Sequence, residues 1–223
     1  MAKIKPKEIL IPVAVLCSIA LICGALLGGF YLLTLTDDNA ETMKAVSENY
    51  PNLVLLEQQA DYSAVIDAVN SELSDKGKLL SVFLCEDGTY VFRSSGKGGY
   101  GGDVVLLIPV TDGAIGEIVV FENSETAGVG SNALPPKKTY IGQYEGVKIS
   151  DIDSGSFRFS EGKAAGSAYS WFDGSGSGGG AAMSSPDGSV VALTGATKTS
   201  TAVLNSVNIA VCAYLKLSEV QDG

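Results

Sequence analysis

The longest apolar run in the chain spans residues 9–36 and contains no charged residue. It exceeds the roughly 20 apolar residues that a helix needs to cross a bilayer, and it is about twice as long as a signal-peptide core. Charges flank it on both sides, with Lys3, Lys5 and Lys7 before it and Asp37 and Asp38 after it. The pattern predicts an uncleaved membrane anchor with a cytoplasmic N-terminus and an extracytoplasmic remainder. Cleavage near Cys23 is the alternative.

Three segments beyond the anchor show helical spacing of apolar residues. Residues 40–48 predict a short helix and residues 62–73 a second one, with one apolar stripe formed by Val65, Ile66, Val69 and Leu73. Residues 198–217 predict a longer C-terminal helix. Its apolar positions are Val203, Val207, Ala210, Val211, Tyr214 and Leu215.

Strand signals fill the middle of the chain and form two pairs. Residues 79–85 and 90–93 flank the turn sequence Glu86-Asp87-Gly88, while residues 104–110 and 115–121 flank Thr111-Asp112-Gly113-Ala114. Such β-branched runs around short glycine-containing turns are typical of hairpins. With the helices, they predict an α+β fold: an anchor, residues 1–36, and one domain, residues 37–223, built on an antiparallel sheet with flanking helices.

Composition narrows the chemistry of this domain. The chain has no histidine, which removes histidine-based triads and imidazole-ligated metals. The formal charge of -10 becomes -12 without residues 1–36, because three lysines and one glutamate are lost; such a surface repels nucleic acid. Of the four cysteines only Cys85 and Cys212 lie beyond the anchor. They could pair in an oxidising compartment or remain buried free thiols, and no cysteine pair has the spacing of a metal site.

Glycine-rich and hydroxyl-rich segments are the candidates for ligand binding. Residues 98–102 read Gly-Gly-Tyr-Gly-Gly, and glycines at this density let a backbone approach a ligand closely. Residues 174–180 contain only glycine and serine, which predicts a flexible surface loop. Residues 136–144 predict a short helix that begins with proline. At the start of the C-terminal helix, Thr197, Thr199 and Ser200 are either capping groups or part of an anion site.

Three ordered segments resemble the covalent FMN-binding domain family, which includes the G subunit of the Rnf electron-transport complex and the C subunit of the sodium-pumping NADH:quinone reductase. Residues 193–200, Leu-Thr-Gly-Ala-Thr-Lys-Thr-Ser, resemble the family's [S/T]-G-A-T-x-[T/S]-S motif. Residues 98–103 and 124–130 resemble its G-Y-G-G and S-E-T-P-G-x-G segments. The family motif begins with an aspartate where this chain has Val191, and Ala127 stands where proline is usual.

The resemblance implies a phosphoester between FMN and the Thr197 hydroxyl, made by a flavin transferase that uses FAD. It places other residues around the flavin: Thr194, Gly195, Ala196, Lys198, Thr199, Glu125, Thr126 and Gly128. Glu125 and Thr126 would lie by the isoalloxazine or ribityl chain, and an ordinary solvated loop is the alternative. Tyr100 and Trp171 could stack on the flavin, but core packing is the expected role for both.

The implied function is electron transfer by a subunit that has no catalytic acid or nucleophile of its own. The resemblance implies membership of a membrane complex that couples ferredoxin and NAD redox chemistry to ion transport, with the other subunits of that complex as partners. The chain length favours the Rnf-type G subunit over the quinone-reductase C subunit. A membrane-anchored binding module that has lost the flavin is a third hypothesis, which Val191 favours.

Overall fold

The computed structural model describes residues 6–33, 38–128, 130–134, 140–152, 155–159 and 188–221, and the chain divides into two compact units, Met1–Glu41 and Thr42–Gly223. Helix α1, Pro6–Leu33, dominates the first unit. Its residues 12–29 are apolar and exposed, and they are numerous enough to span a membrane. A helix that is apolar on every side needs an apolar environment. By length and composition, α1 is therefore a candidate membrane-spanning helix.

Three further α-helices lie in the described part of the chain: α2, Asp38–Asn49, α3, Ser63–Glu72, and α4, Thr197–Gln221. Each falls where the apolar spacing predicts one. On α3, Val65 and Val69 are buried, and Ile66 and Leu73 pack partly buried against the core. Helix α4 is also long and apolar enough to cross a membrane, but most of it is buried in the second unit. It is the core helix of this unit.

The core is built on an antiparallel sheet. Its strands are β1, Gly77–Leu84, β2, Tyr90–Gly96, β3, Val104–Thr111, β4, Ala114–Ile115, and β5, Val119–Glu122. Their order is β1-β2-β3-β4, and β5 also pairs with β3. Asp112 and Gly113 both have positive φ, as a tight two-residue hairpin turn requires. The predicted α+β class with one antiparallel sheet is confirmed, and a small parallel pair follows, β6, Arg158–Phe159, with β7, Ser189–Val190.

The last predicted strand, residues 115–121, is interrupted. The Gly116 amide donates to the Pro109 carbonyl oxygen at 2.7 Å. The Ile118 amide instead donates to Glu145 Oε1 at 3.0 Å. The Gly116 bond continues the register of β3 with β4. The Ile118 amide bonds outside the sheet, and β5 then pairs with β3 one residue out of that register, so the run splits into β4 and β5.

Helix α4 crosses the sheet at close range. A side chain at Gly96 would collide with the Ala202 carbonyl oxygen, so only glycine lets strand and helix approach here. Next to it, the buried Ser94 and Ser206 hydroxyls lie 2.8 Å apart. This packing fixes the first turns of α4 against the end of β2.

The outer edge of β1 is covered by side-chain amides. Gln59 accepts from the Leu84 amide at 2.7 Å and donates to the Leu84 carbonyl at 3.0 Å. Asn70 forms the same pair with Leu79, at 2.7 and 3.0 Å. At Leu79 the side-chain amide takes the place of a neighbouring strand, whereas the Leu84 carbonyl also accepts from the backbone amide of Leu56 at 3.1 Å.

Both cysteines of the second unit are free thiols. Cys85 is buried, and burial, helped by nearby Asp87, raises the pKa of its thiol to about 11. Cys212 is half-buried on α4 and packs against the core. They match the buried-thiol alternative rather than a disulfide. Among the described residues no cluster of His, Cys, Asp or Glu could hold a metal ion.

Several predicted features lie outside the described residues: Asp37, the 174–180 loop, Trp171 and residues 136–139 of the predicted short helix. The rest of that predicted helix contains a 3₁₀ turn, Ile141–Gln143. Tyr100 corrects an expectation, because its side chain is 70% exposed. It sits on a glycine loop outside the core, so core packing is not its role.

Candidate functional site

Helix α4 begins from a tight turn formed by residues 193–196. The Ala196 amide donates to the Leu193 carbonyl at 3.0 Å, and Gly195 adopts φ +80°, a conformation that favours glycine. The first helical bond runs from the Ser200 amide to the Ala196 carbonyl at 2.8 Å. Ala196 therefore occupies the N-cap position, and Thr197 is the first residue of the helix.

The start of α4 has no side-chain cap from its own N-cap residue. Alanine has no oxygen with which to accept a hydrogen bond from the first-turn amides. The amides of residues 197–199 precede the first helical bond, and they have no acceptor among the residues that the structure describes. Unpaired amides and the positive end of the helix dipole together favour an anion.

The hydroxyls of this first turn differ sharply in environment. Thr199 is 1% exposed and donates to Glu125 Oε2 at 2.8 Å. Ser200 is fully buried, and its Oγ accepts from the Leu193 amide at 3.0 Å. Thr197 is exposed, and its hydroxyl has no hydrogen-bond partner in the described ranges. It is the hydroxyl of this turn that is open to an incoming group.

Glu125 connects the three candidate segments. Besides accepting from Thr199, its carboxylate accepts from the Gly101 amide at 3.3 Å. A side chain at Gly99 or at Gly130 would collide with this carboxylate, so both glycines make room for it. The structure therefore brings the 98–102 loop, the loop around residue 125 and the start of α4 to one place.

The other predicted site residues stand apart from this contact. Thr194, Gly195 and Lys198 are exposed, whereas Ala196 is buried. Lys198 Nζ lies 5.6 Å from the centre of the Tyr100 ring, a cation–π distance. Thr126 is exposed, and its hydroxyl has no partner in the described part of the chain.

Gly128 shapes the loop after Glu125. It adopts φ +80°, and its amide donates to Ser131 Oγ at 2.9 Å. Gly128 is exposed, so the structure gives it a turn-forming role.

Comparison with known families agrees with this geometry. Residues 99–211 match the model of the FMN-binding domain, which is just over half of the chain, and the chain belongs to the FMN-binding domain family. The match includes Glu125, the turn at residues 193–196 and most of α4. It indicates a flavin-binding, redox-related protein with FMN as its cofactor. No curated protein matches the chain.

The residues present fit FMN at the start of α4. The phosphate of FMN is an anion, and the uncapped amides of residues 197–199 supply donors for it. Lys198 adds an exposed positive charge beside them. The open side of this turn is therefore chemically suited to a phosphate group.

Sequence reasoning found these segments but missed how they connect. The bond between Glu125 and Thr199 joins residues that are 74 positions apart, and no local spacing indicates it. Nor did the sequence single out Gln143 and Tyr140, which bond to the backbone of Val191 and of Ser200 respectively. The sequence offered one signal for these two residues: they are a polar and an aromatic residue within residues 136–144, which were predicted to be helical.

Proposed function

We propose that Thr197 carries FMN covalently through a phosphoester bond. The Thr197 hydroxyl oxygen forms a bond to the phosphorus of the FMN half of FAD. The pyrophosphate bond breaks, AMP leaves with the bridging oxygen, and the hydroxyl proton is released. FMN then supplies the redox chemistry, while the protein supplies attachment, position and the electrostatic environment.

The exposed, unpartnered hydroxyl of Thr197 at an uncapped helix start carries this proposal. A transferase needs an acceptor oxygen that it can reach, and Thr199 and Ser200 are buried and bonded elsewhere. The first-turn amides also offset the repulsion that an acidic domain exerts on a phosphodiester. Among the hydroxyls of the first helical turn, accessibility and electrostatics therefore favour the same residue.

We further propose a place for this flavoprotein at the membrane. Helix α1 would anchor the chain, with residues 1–36 forming the cytoplasmic tip and membrane span and residues 37–223 forming an extracytoplasmic domain. The protein would serve as the G-type subunit of an Rnf ion-translocating complex, receiving electrons from one subunit and passing them to another. A flavin transferase would be its maturation partner. The C-type subunit of a sodium-pumping quinone reductase is the alternative.

A second candidate function is a membrane-anchored module without flavin. The observation that favours it is Val191, where the resembled motif has an aspartate. If the transferase requires that carboxylate, Thr197 would remain unmodified. The domain would then act through its surface alone.

One experiment separates the two candidates. The full chain is expressed with and without a flavin transferase, denatured, and resolved on a gel that is viewed for flavin fluorescence. We expect a fluorescent band only with the transferase, and peptide mapping should place FMN on Thr197. A chain that stays dark in both cases refutes the attachment and supports the module without flavin.

A further inference from the structure

The acceptor turn, residues 191–200, is held at its first residue by Gln143. Gln143 Oε1 accepts from the Val191 amide at 2.9 Å, and Gln143 Nε2 donates to the Val191 carbonyl at 3.1 Å. One side chain thus satisfies both backbone groups of Val191. This is the position where the resembled motif has aspartate, and here it is fixed through its backbone rather than its side chain.

The last residue of the acceptor turn is held by Tyr140. The Tyr140 hydroxyl donates to the Ser200 carbonyl at 2.8 Å and lies 2.7 Å from the Tyr144 hydroxyl. A phenol has one proton, so Tyr144 donates to the Tyr140 oxygen. Both rings are buried, and burial raises the pKa of both hydroxyls. They remain protonated donors at neutral pH.

Residues 140–144 therefore hold both ends of the acceptor turn from one short segment. Inside the turn, Ser200 Oγ accepts from the Leu193 amide at 3.0 Å and closes it further. Between these fixed points the chain exposes Thr194, Gly195, Thr197 and Lys198. The exposed part is short and its ends are fixed, so little backbone entropy is left to lose when an enzyme takes hold of it.

We propose that Gln143 and Tyr140 are positioning residues for flavin attachment, which hold the acceptor turn in the shape that the transferase recognises. This inference rests on the proposed attachment at Thr197. It predicts that loosening either end of the turn slows modification even though the Thr197 hydroxyl is intact. The positioning acts before the flavin is present, so it is measurable on the unmodified chain.

The test compares Gln143→Met with a matched control, Gln59→Met. Both glutamines are half-buried and both bond the amide and the carbonyl of one residue, Val191 and Leu84 respectively. The kcat/KM of the transferase is measured with the full-length chain as acceptor. We expect Gln143→Met to lower it roughly tenfold, the size of two lost hydrogen bonds, and Gln59→Met to change it by about twofold or less.

A second readout follows the unmodified full-length chain by hydrogen exchange. The Val191 and Ala196 amides should exchange faster in Gln143→Met, while Gln59→Met should affect the Leu84 amide instead. Tyr140→Phe, which keeps the ring, provides an independent variant and should also lower kcat/KM. In Tyr140→Phe, the backbone amides at the Ser200 end of the turn should exchange faster.

The outcomes separate the two proposals. If the wild-type chain accepts no FMN at Thr197, the attachment itself is wrong and the positioning role fails with it. If the wild-type chain is modified but Gln143→Met and Gln59→Met behave alike in rate and exchange, only the positioning role is overturned. The positioning role is also overturned if, in both variants, kcat/KM falls only in proportion to the fraction of unfolded chain.

Discussion

Replacing Thr197 with valine is the sharpest test of the attachment site. Valine keeps the branched shape of threonine and removes its hydroxyl oxygen, so no phosphoester can form. The change leaves the neighbouring hydroxyls in place, and they are the competing acceptors. We expect complete loss of covalent FMN.

The cost in stability should be small. The Thr197 side chain is exposed and its hydroxyl has no partner among the residues described, and valine and threonine have similar helix propensities. Such a surface change alters the free energy of unfolding by about 0.5 kcal/mol or less, or roughly 2 °C in Tm for a unit of this size. A capping threonine would cost about 1 kcal/mol, but Ala196 holds the cap position here.

The assay combines thermal unfolding with flavin fluorescence of the denatured chain. Thr201→Val is the matched control, because the Thr201 hydroxyl donates to the Thr197 carbonyl at 3.0 Å and takes no part in attachment. It should keep its FMN. The reasoning is refuted if Thr197→Val still carries FMN, on Thr199 or elsewhere, or if it unfolds well below the control.

Three other predictions concern the flavin environment, recognition and topology. Glu125→Ala leaves the buried Thr199 hydroxyl without its acceptor, so it should lower the free energy of unfolding by about 1–3 kcal/mol, measured by urea titration. The same change should shift the flavin midpoint potential, measured by redox titration, while FMN stays attached. If both quantities are unchanged, the segment around Glu125 is an ordinary loop. Val191→Asp should raise the FMN content per chain if the transferase reads that carboxylate, and equal fluorescence in both chains would exclude such reading. A reporter fused after Gly223 should be active only outside the cytoplasm, and activity of a cytoplasmic reporter there would reverse the proposed orientation.

Local patterns predicted most of the fold. The stripe on α3 and the hairpin around Asp112 and Gly113 depend on neighbours within a few residues, and both are present as expected. The interrupted last strand was missed because its cause is distant: the Ile118 amide bonds to Glu145. Tyr100 was misjudged for a related reason, since its exposure depends on where the glycine loop lies and not on its hydrophobicity.

In the candidate site, too, the sequence predicted the local features and missed those that depend on distant contacts. The sequence showed the hydroxyls at the start of α4, but it did not show which of them is accessible, because accessibility depends on burial in the folded domain. Thr199 is removed as an acceptor by Glu125, and Ser200 by its bond to the Leu193 amide. Hydroxyls two or three residues apart thus differ in exposure and bonding because of contacts with residues distant in the sequence.

The amide-covered edge of β1 has a consequence for assembly. An edge strand normally offers unpaired backbone groups on which another chain can extend the sheet. At Leu84 and Leu79 those groups already bond to Gln59 and Asn70, and the Leu84 carbonyl also accepts from the Leu56 amide. An incoming strand would have to break these bonds before making its own. At these two positions the side-chain amides oppose the pairing of another strand with β1, which hinders edge-to-edge aggregation on this side of the sheet.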